Sequence, residues 1–356
     1  MRVLIIKTSS MGDVIHTLPA LTDAMRAIPD IKFDWVVEEK FQAIPKWHPA
    51  VDRVIPIQLR QWKKNKNYRL KNIFYALKKF HATLNQTSYD LVLDAQGLMK
   101  SALITSFVRA PSAGYNKKSI REKWASIFYK KKYNISRNQH AVERIRQLFS
   151  EALYYPRPKT MADYGINKAI WLDNTVEPYV LFFHGTTWIN KHWPENYWKV
   201  LIELLNKQQL KIKLAWGTQE EYERSLRLSQ HVNAEVLPDL NIATLVPVIA
   251  NASAVVAVDT GLCHLASALN IPTIALFGPT DPEKTGLMGE KQINLTANFP
   301  CAPCLKRECH YKGEEISNAQ KISNNCLSPL SAWPACFTTL PPQLVMDKLL
   351  TIWGNK

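Results

Sequence analysis

"RVLIIKTSSMGDVIHTLPAL" (residues 2–21) sets an apolar run, a loop of small polar residues and an amphipathic stretch end to end. Val3 to Ile6 reads as a buried strand, and residues 14–27 read as a helix, with apolar positions from Val14 onward at helical spacing. A strand, a short loop and a helix in that order open a βαβ unit, which predicts a parallel sheet with helices on its faces. The loop departs from a dinucleotide-binding turn, which needs several glycines. It holds one, Gly12, followed at once by a carboxylate, Asp13.

The alternation continues along the chain. Strand-like segments recur at 32–38, 51–57 and 90–97, with a short helix at 39–45 and a Lys-rich helical stretch at about 66–86. Residues 110–140 mix lysine, serine and aromatics and read as loops and short helices. Around 153–166 proline, basic residues and lost periodicity mark a boundary. A second series follows, with strands at 179–185, 210–217, 234–237, 254–261 and 273–282, helices at 194–208, 219–231 and 241–250, and a further helix after 261. The expected fold is α/β with two Rossmann-like parallel-sheet domains, 1–165 and 175–338, facing across a cleft. A C-terminal helix at 340–356 is expected to pack back toward the first domain. A chain of 356 residues is longer than one core usually organises.

Charge divides the chain in the same place. Residues 1–170 carry 30 Lys+Arg against 13 Asp+Glu, whereas residues 171–356 carry 15 against 17. The first half therefore has the field to attract a polyanion, phosphorylated lipid headgroups or nucleic acid, or else presents a solvated basic surface. The aromatics are not gathered into an RNA-binding motif, which argues against nucleic acid. No apolar stretch reaches the ~20 residues that span a bilayer, and the first residues lack the pattern of a signal peptide; the expectation is a cytoplasmic protein.

In open α/β sheets ligands collect beyond the carboxyl ends of the strands. In D-T-G-L-C-H, Asp259, Thr260 and Gly261 stand where a buried strand gives way to a helix start, with His264 one turn on. Unpaired N–H groups and the helix dipole suit a pyrophosphate there, and Gly261 lets it approach the backbone. Alternatively Asp259 or Thr260 simply caps the helix. In H-G-T-T-W-I-N-K-H-W, Thr186 and Thr187 offer hydroxyls and Lys191 a point charge for phosphate. Glu221, at the head of a helix, reads either as a ribose-binding carboxylate or as a favourable first-turn charge. Together these describe a nucleotide diphosphate site that lacks both a P-loop and G-x-G-x-x-G, which weakens the ATPase and dehydrogenase readings. Asp13 would repel a pyrophosphate. It is either a base facing the cleft, able to take the proton of an attacking hydroxyl, or the cap of the helix beginning at Val14.

The motifs M-R-V-L-I-I-K-T-S-S-M-G-D-V-I-H-T-L-P-A-L, F-D-W-V-V-E-E, D-A-Q-G-L-M-K-S-A, Q-H-A-V-E-R, K-H-W-P-E-N-Y-W and D-T-G-L-C-H-L resemble those of the lipopolysaccharide heptosyltransferases, glycosyltransferase family 9, in order from residue 1 to about 285. The similarity is greatest to the members that add the first heptose to the inner core. The resemblance implies a GT-B, metal-independent, inverting enzyme without a cofactor. Its donor would be ADP-L-glycero-β-D-manno-heptose and its acceptor a Kdo-containing lipid A. It implies Asp13 as general base, Lys191, Thr186 and Thr187 on the phosphates, Glu221 on the ribose, and Asp259, Thr260, Gly261 and His264 as donor loop. Ser10, Gly12, Arg60, Lys63, Lys64 and Arg121 fall on the acceptor side. It further implies a monomer associated peripherally with the anionic inner face of the inner membrane, a partner for the basic half. Another nucleotide sugar or a later core acceptor is the alternative within enzymes, and a basic nucleic-acid-binding protein the alternative outside them.

The end of the chain departs from that pattern. Cys301, Cys304, Cys309, Cys326 and Cys336 follow the spacing C-x2-C-x4-C-x16-C-x9-C. The C-x2-C pair suits half of a zinc site, with His310 able to complete one, whereas the second half is irregular. Free thiols, a disulfide and a structural metal all remain open, and the catalytic reading uses none of them.

Overall fold

The computed structural model describes residues 1–59, 70–230, 232–312 and 333–353, with backbone alone for 70–74. The chain divides into two compact units, Met1–Asn167 and Lys168–Lys356. In the first, β1 (Arg2–Ile6), β2 (Lys32–Glu38), β3 (Val51–Ile57), β4 (Leu91–Asp94), β5 (Ser112–Tyr115) and β6 (Lys131–Tyr133) form a sheet in the order β3-β2-β1-β4-β5-β6. In the second, β7 (Tyr179–Phe183), β8 (Lys211–Ala215), β9 (Ala234–Val236), β10 (Ala254–Val258), β11 (Thr273–Phe277) and β12 (Gln292–Thr296) take the order β12-β11-β10-β7-β8-β9. Every pairing in both sheets is parallel.

The two orders are one topology read from opposite sides. Each chain segment starts in a central strand, winds outward to one edge, and returns to wind outward to the other. The winding reverses between β1 and β4 in the first unit and between β7 and β10 in the second. Such a reversal opens a crevice beyond the strands' carboxyl ends. These four strands are fully buried apart from Arg2, as sheets covered on both faces require. Burying each Val, Leu, Ile or Phe in them contributes roughly 1.5–3 kcal/mol, which holds the crevice walls rigid.

The elements differ from the expected ones in several places. The helix expected over 14–27 is two helices, Met11–Ile15 and Leu18–Ala27. Pro19 has no N–H to continue the first one and sits instead in the opening turn of the second. Residues 110–140 contain β5 and β6, and β6 is Lys-Lys-Tyr with both lysines exposed, as befits an edge strand. β12, an edge strand of the second sheet, also goes beyond the expected strands. Residues Ala141–Leu153, the Q-H-A-V-E-R region, form a helix whose buried Arg146 donates to both oxygens of Asp23 at 2.7 and 3.2 Å. That pair clamps it to the Leu18–Ala27 helix. The C-terminal helix is Pro342–Trp353, and its buried Val345, Met346 and Leu349 join the second unit's core with Trp198 and Leu201 of the Glu195–Lys207 helix.

Candidate functional site

In the first unit Ile6 pairs with Asp94, so Lys7 and Ala95 leave the sheet side by side. Lys7 Nζ donates to Ala95 O at 3.0 Å, and Thr8 donates from its N and Oγ1 to Gln96 Oε1 at 2.7 and 2.8 Å. The opening loop is thereby fixed to the end of β4. Ser10 precedes the Met11–Ile15 helix, and both its N–H and its hydroxyl donate to Asp13 Oδ2, at 2.7 and 2.8 Å. Gly12 is buried between them. The other oxygen, Oδ1, lies 3.8 Å from Lys7 Nζ, and the Asp13 side chain is 47% exposed.

One oxygen thus serves the helix start, which begins at Met11 rather than Val14, and the other faces Lys7. Burial raises the pKa of Asp13, but the charge of Lys7 and the two bonds from Ser10 outweigh that, and the carboxyl lies below the ordinary value of 3.8. Asp13 is ionised at neutral pH and able to accept a proton. Asp94, the other carboxylate at this switch point, is fully buried and already accepts from Tyr129, Gln96 and Gly97. Burial pushes it up. It cannot meet a substrate. Arg121 is exposed and lines a recess with Lys117, Lys118, Lys123 and Arg137. Arg60, Lys63 and Lys64 lie outside the described residues.

In the second unit the loops after β7 and β10 are locked together. Lys191 Nζ donates to Asp259 Oδ2 at 2.6 Å, and Thr280 Oγ1 donates to the same oxygen at 2.7 Å. His264 Nε2 is 3.7 Å from Oδ1, and Thr186 Oγ1 donates to Asp259 O at 3.3 Å. Asp259 is buried, yet its carboxyl is held far below the ordinary range because His264 and Lys191 overcome the desolvation. Thr260 is the N-cap residue of the helix Gly261–Ala268, whose first N–H groups complete an anion-binding corner. Lys191 uses one of its three donors on Asp259.

A cavity of about 440 Å3 opens beside this corner, lined among others by Thr186, Thr187, His192, Glu221, Arg224 and Trp333. Glu221 Oε2 accepts from Gly217 N at 2.8 Å, while Thr218 caps the helix by accepting from Glu221 N at 3.2 Å. Gly185 makes room for Glu221: a Cβ there would lie 2.2 Å from Oε1. Arg224 and His192 were not expected. Arg224 contacts His192 Nδ1, and His192 Nε2 bonds Thr186 O at 2.8 Å. Arg224 follows Glu220 and Glu221 by one turn on the same helix face, a spacing that the sequence displays.

Among the described residues one trio of potential metal ligands lies within 4.8 Å of one another, Asp259, Cys263 and His264. It suits a cation poorly. The Lys191 ammonium already neutralises Asp259, and the buried Cys263 thiol is pushed well above its usual range while donating to Thr260 O.

The profile of Glycosyltransferase family 9 (heptosyltransferase) matches residues 77–314. The chain is 51% identical over 352 residues to lipopolysaccharide heptosyltransferase 1 of Pseudomonas aeruginosa, covering 98% of this chain and 97% of that protein. The structure of E. coli heptosyltransferase WaaC with ADP superposes with a TM-score of 0.79 at 48% identity, covering 83% of this chain and 93% of that one. The WaaC structure with ADP-2-deoxy-2-fluoro heptose gives 0.77 at 47%, covering 84% and 94%.

Proposed function

The chain belongs to glycosyltransferase family 9, the heptosyltransferases, and from that premise we propose that it transfers L-glycero-D-manno-heptose from ADP-heptose to the Kdo of Kdo-lipid A, with inversion and without a metal in catalysis. Its place is lipopolysaccharide assembly. One observation carries the reading beyond membership. The switch point of the first unit presents a half-exposed carboxylate, and that of the second presents hydroxyls, an ammonium and a helix start.

Each set suits one half of the reaction. The acceptor hydroxyl oxygen attacks the anomeric carbon, the bond from that carbon to the β-phosphate oxygen breaks, and the hydroxyl proton passes to Asp13. Lys191, the N–H groups of the Gly261–Ala268 helix start and the Thr186 and Thr187 hydroxyls stabilise the negative charge that grows on the departing ADP. Glu221 accepts from the ribose hydroxyls. The test is ADP release from ADP-heptose on adding Kdo-lipid A; release with other nucleotide sugars but none with ADP-heptose would contradict the assignment.

Glu221 gives a graded prediction. Gly185→Ala displaces its carboxylate and Glu221→Gln removes its charge, and each is expected to raise the ADP Kd about tenfold, the worth of one charged hydrogen bond. Calorimetric titration checks this, and an unchanged Kd in both variants removes Glu221 from the nucleotide site.

The acceptor is a lipid, and we assign the first unit's basic side to an anionic bilayer surface on the cytoplasmic face of the inner membrane. Trp124 and Ile127, 73% and 63% exposed, project from the turn Lys123–Phe128 beside the recess of Lys117, Lys118 and Arg121. An aromatic ring and lysines together suit the headgroup layer, with each lysine contributing about 1 kcal/mol at an anionic surface. Among the described residues no helix is long and apolar enough to cross a membrane. Anionic vesicles are expected to sediment the enzyme, and Lys117→Glu with Lys118→Glu to release it. Equal binding to neutral vesicles would count against this surface.

A further inference from the structure

The described cysteines after β12, at 301–309 and at 336, lie in segments held against the second unit. The rings of Phe299 and Tyr311 meet edge to face at 4.9 Å, closing the stretch Cys301–Cys309 into a loop. Leu305, next after Cys304, has a φ of 55°, a left-handed turn that an ordinary side chain rarely adopts. Its N–H donates to Pro279 O at 2.8 Å, so the loop rests on the end of β11. Cys336 arrives at the same place from the far side of the sequence. Its buried sulfur fills the space over Gly278, where an added Cβ would lie 2.9 Å from Sγ. Gly278 and Pro279 are adjacent, so the loop carrying three cysteines and the fourth cysteine converge on one dipeptide.

We propose that Cys301, Cys304, Cys309 and Cys336 are the ligands of a structural zinc ion that ties the loop after β12 to the segment leading into the C-terminal helix. Four thiolates suit a closed, tetrahedral zinc site, and C-x2-C supplies two ligands from one turn. Among the described residues no three of these sulfurs lie within 4.8 Å of one another, so the ion draws the loop inward as it binds. Metal uptake releases the four thiol protons, and no oxidant or reductant is needed. Lys306 and Arg307, inside the loop, offset the negative charge of the filled site.

The position gives the ion a task, which rests on the nucleotide reading above. Buried Asn190 is held by this loop: its N–H donates to Arg307 O at 3.1 Å, and its Nδ2 donates to Lys306 O at 3.2 Å and to Cys304 Sγ at 3.5 Å. The next residue is Lys191. On the other side Trp333 and Pro334, just before Cys336, line the cavity that contains Thr186 and Glu221. Zinc would thus fix two walls of the nucleotide site without touching the nucleotide.

The test uses the full chain purified without a metal-affinity tag, with zinc and iron measured by mass spectrometry. About one zinc per chain is expected, with four sulfurs at about 2.3 Å by X-ray absorption. Cys304→Ser and Cys336→Ser are expected to lose the metal, and Cys263→Ser, outside the cluster, to keep it. Exposed Cys301→Ser covers the case in which the buried variant fails to fold. No stoichiometric metal with four freely alkylated thiols, a disulfide seen as a mass deficit, or iron in place of zinc each overturns the proposal. Removing the zinc is also expected to raise the ADP Kd about tenfold, in line with losses at supporting shells. An unchanged Kd overturns the positioning role, whereas zinc bound by a chain with no affinity for ADP overturns the nucleotide reading instead.

Discussion

Asp13→Ala is expected to lower the rate of heptose transfer by about 10²–10⁴-fold while leaving the ADP Kd within about twofold, the loss typical of a missing general base. The alanine also removes the acceptor for Ser10, which costs about 1 kcal/mol at the start of the Met11–Ile15 helix. Asp13→Asn separates the two roles. Its amide oxygen still accepts from Ser10 but cannot take up the proton, so it should fold like the wild type and transfer as poorly as the alanine variant. An active asparagine variant would reduce Asp13 to a cap.

Lys7 adds a pH test of the same claim. The folded Asp13 carboxyl lies below 3.8, so the stability its ionisation contributes is complete above that ordinary value and is lost as pH falls through the lower folded one. Activity that depends on the ionised form follows the same sign, with its acid limb below the usual carboxylate range. Lys7→Met removes the charge that opposes burial, and the acid limb is expected to move to higher pH. An unmoved limb would mean that another group titrates.

Lys191→Ala is expected to damage both folding and binding. Lys191 is 15% exposed and Asp259 8%, and removing one partner of a buried pair costs about 3–5 kcal/mol because the other charge is left stranded. For a unit of this size that corresponds to a fall in Tm of roughly 6–20 °C. The ADP Kd should rise by about 10–150-fold as a charged phosphate contact is lost. The double variant Lys191→Met with Asp259→Asn removes both charges, restoring Tm but not ADP affinity. Recovery of both would make the pair purely structural.

The parts of this site that the sequence displays are those built from contiguous residues. Apolar runs ending in polar loops identify β1, β4, β7 and β10, and those loops carry Asp13, Thr186, Lys191 and Asp259. What the sequence hides depends on distance along the chain or on short elements. The Lys191–Asp259 bond joins residues 68 apart, which only the parallel pairing of β7 with β10 brings together. The edge strand β6, Lys-Lys-Tyr, has too few apolar residues to show a period. Asp13 reads two ways in the sequence because a carboxylate has two oxygens, and local sequence does not assign them. The fourth cysteine of the proposed zinc site is 27 residues beyond the third, and only its seat over Gly278 associates it with the others.

The central claim is that the second unit holds ADP at the β7/β10 switch point. A crystal structure of the enzyme with ADP tests it most directly. The expected result is a diphosphate within hydrogen-bond distance of Lys191 Nζ and the N–H groups at the start of the Gly261–Ala268 helix, with the ribose hydroxyls on Glu221. ADP bound elsewhere, with the Lys191–Asp259 pair and Glu221 untouched, would contradict the account.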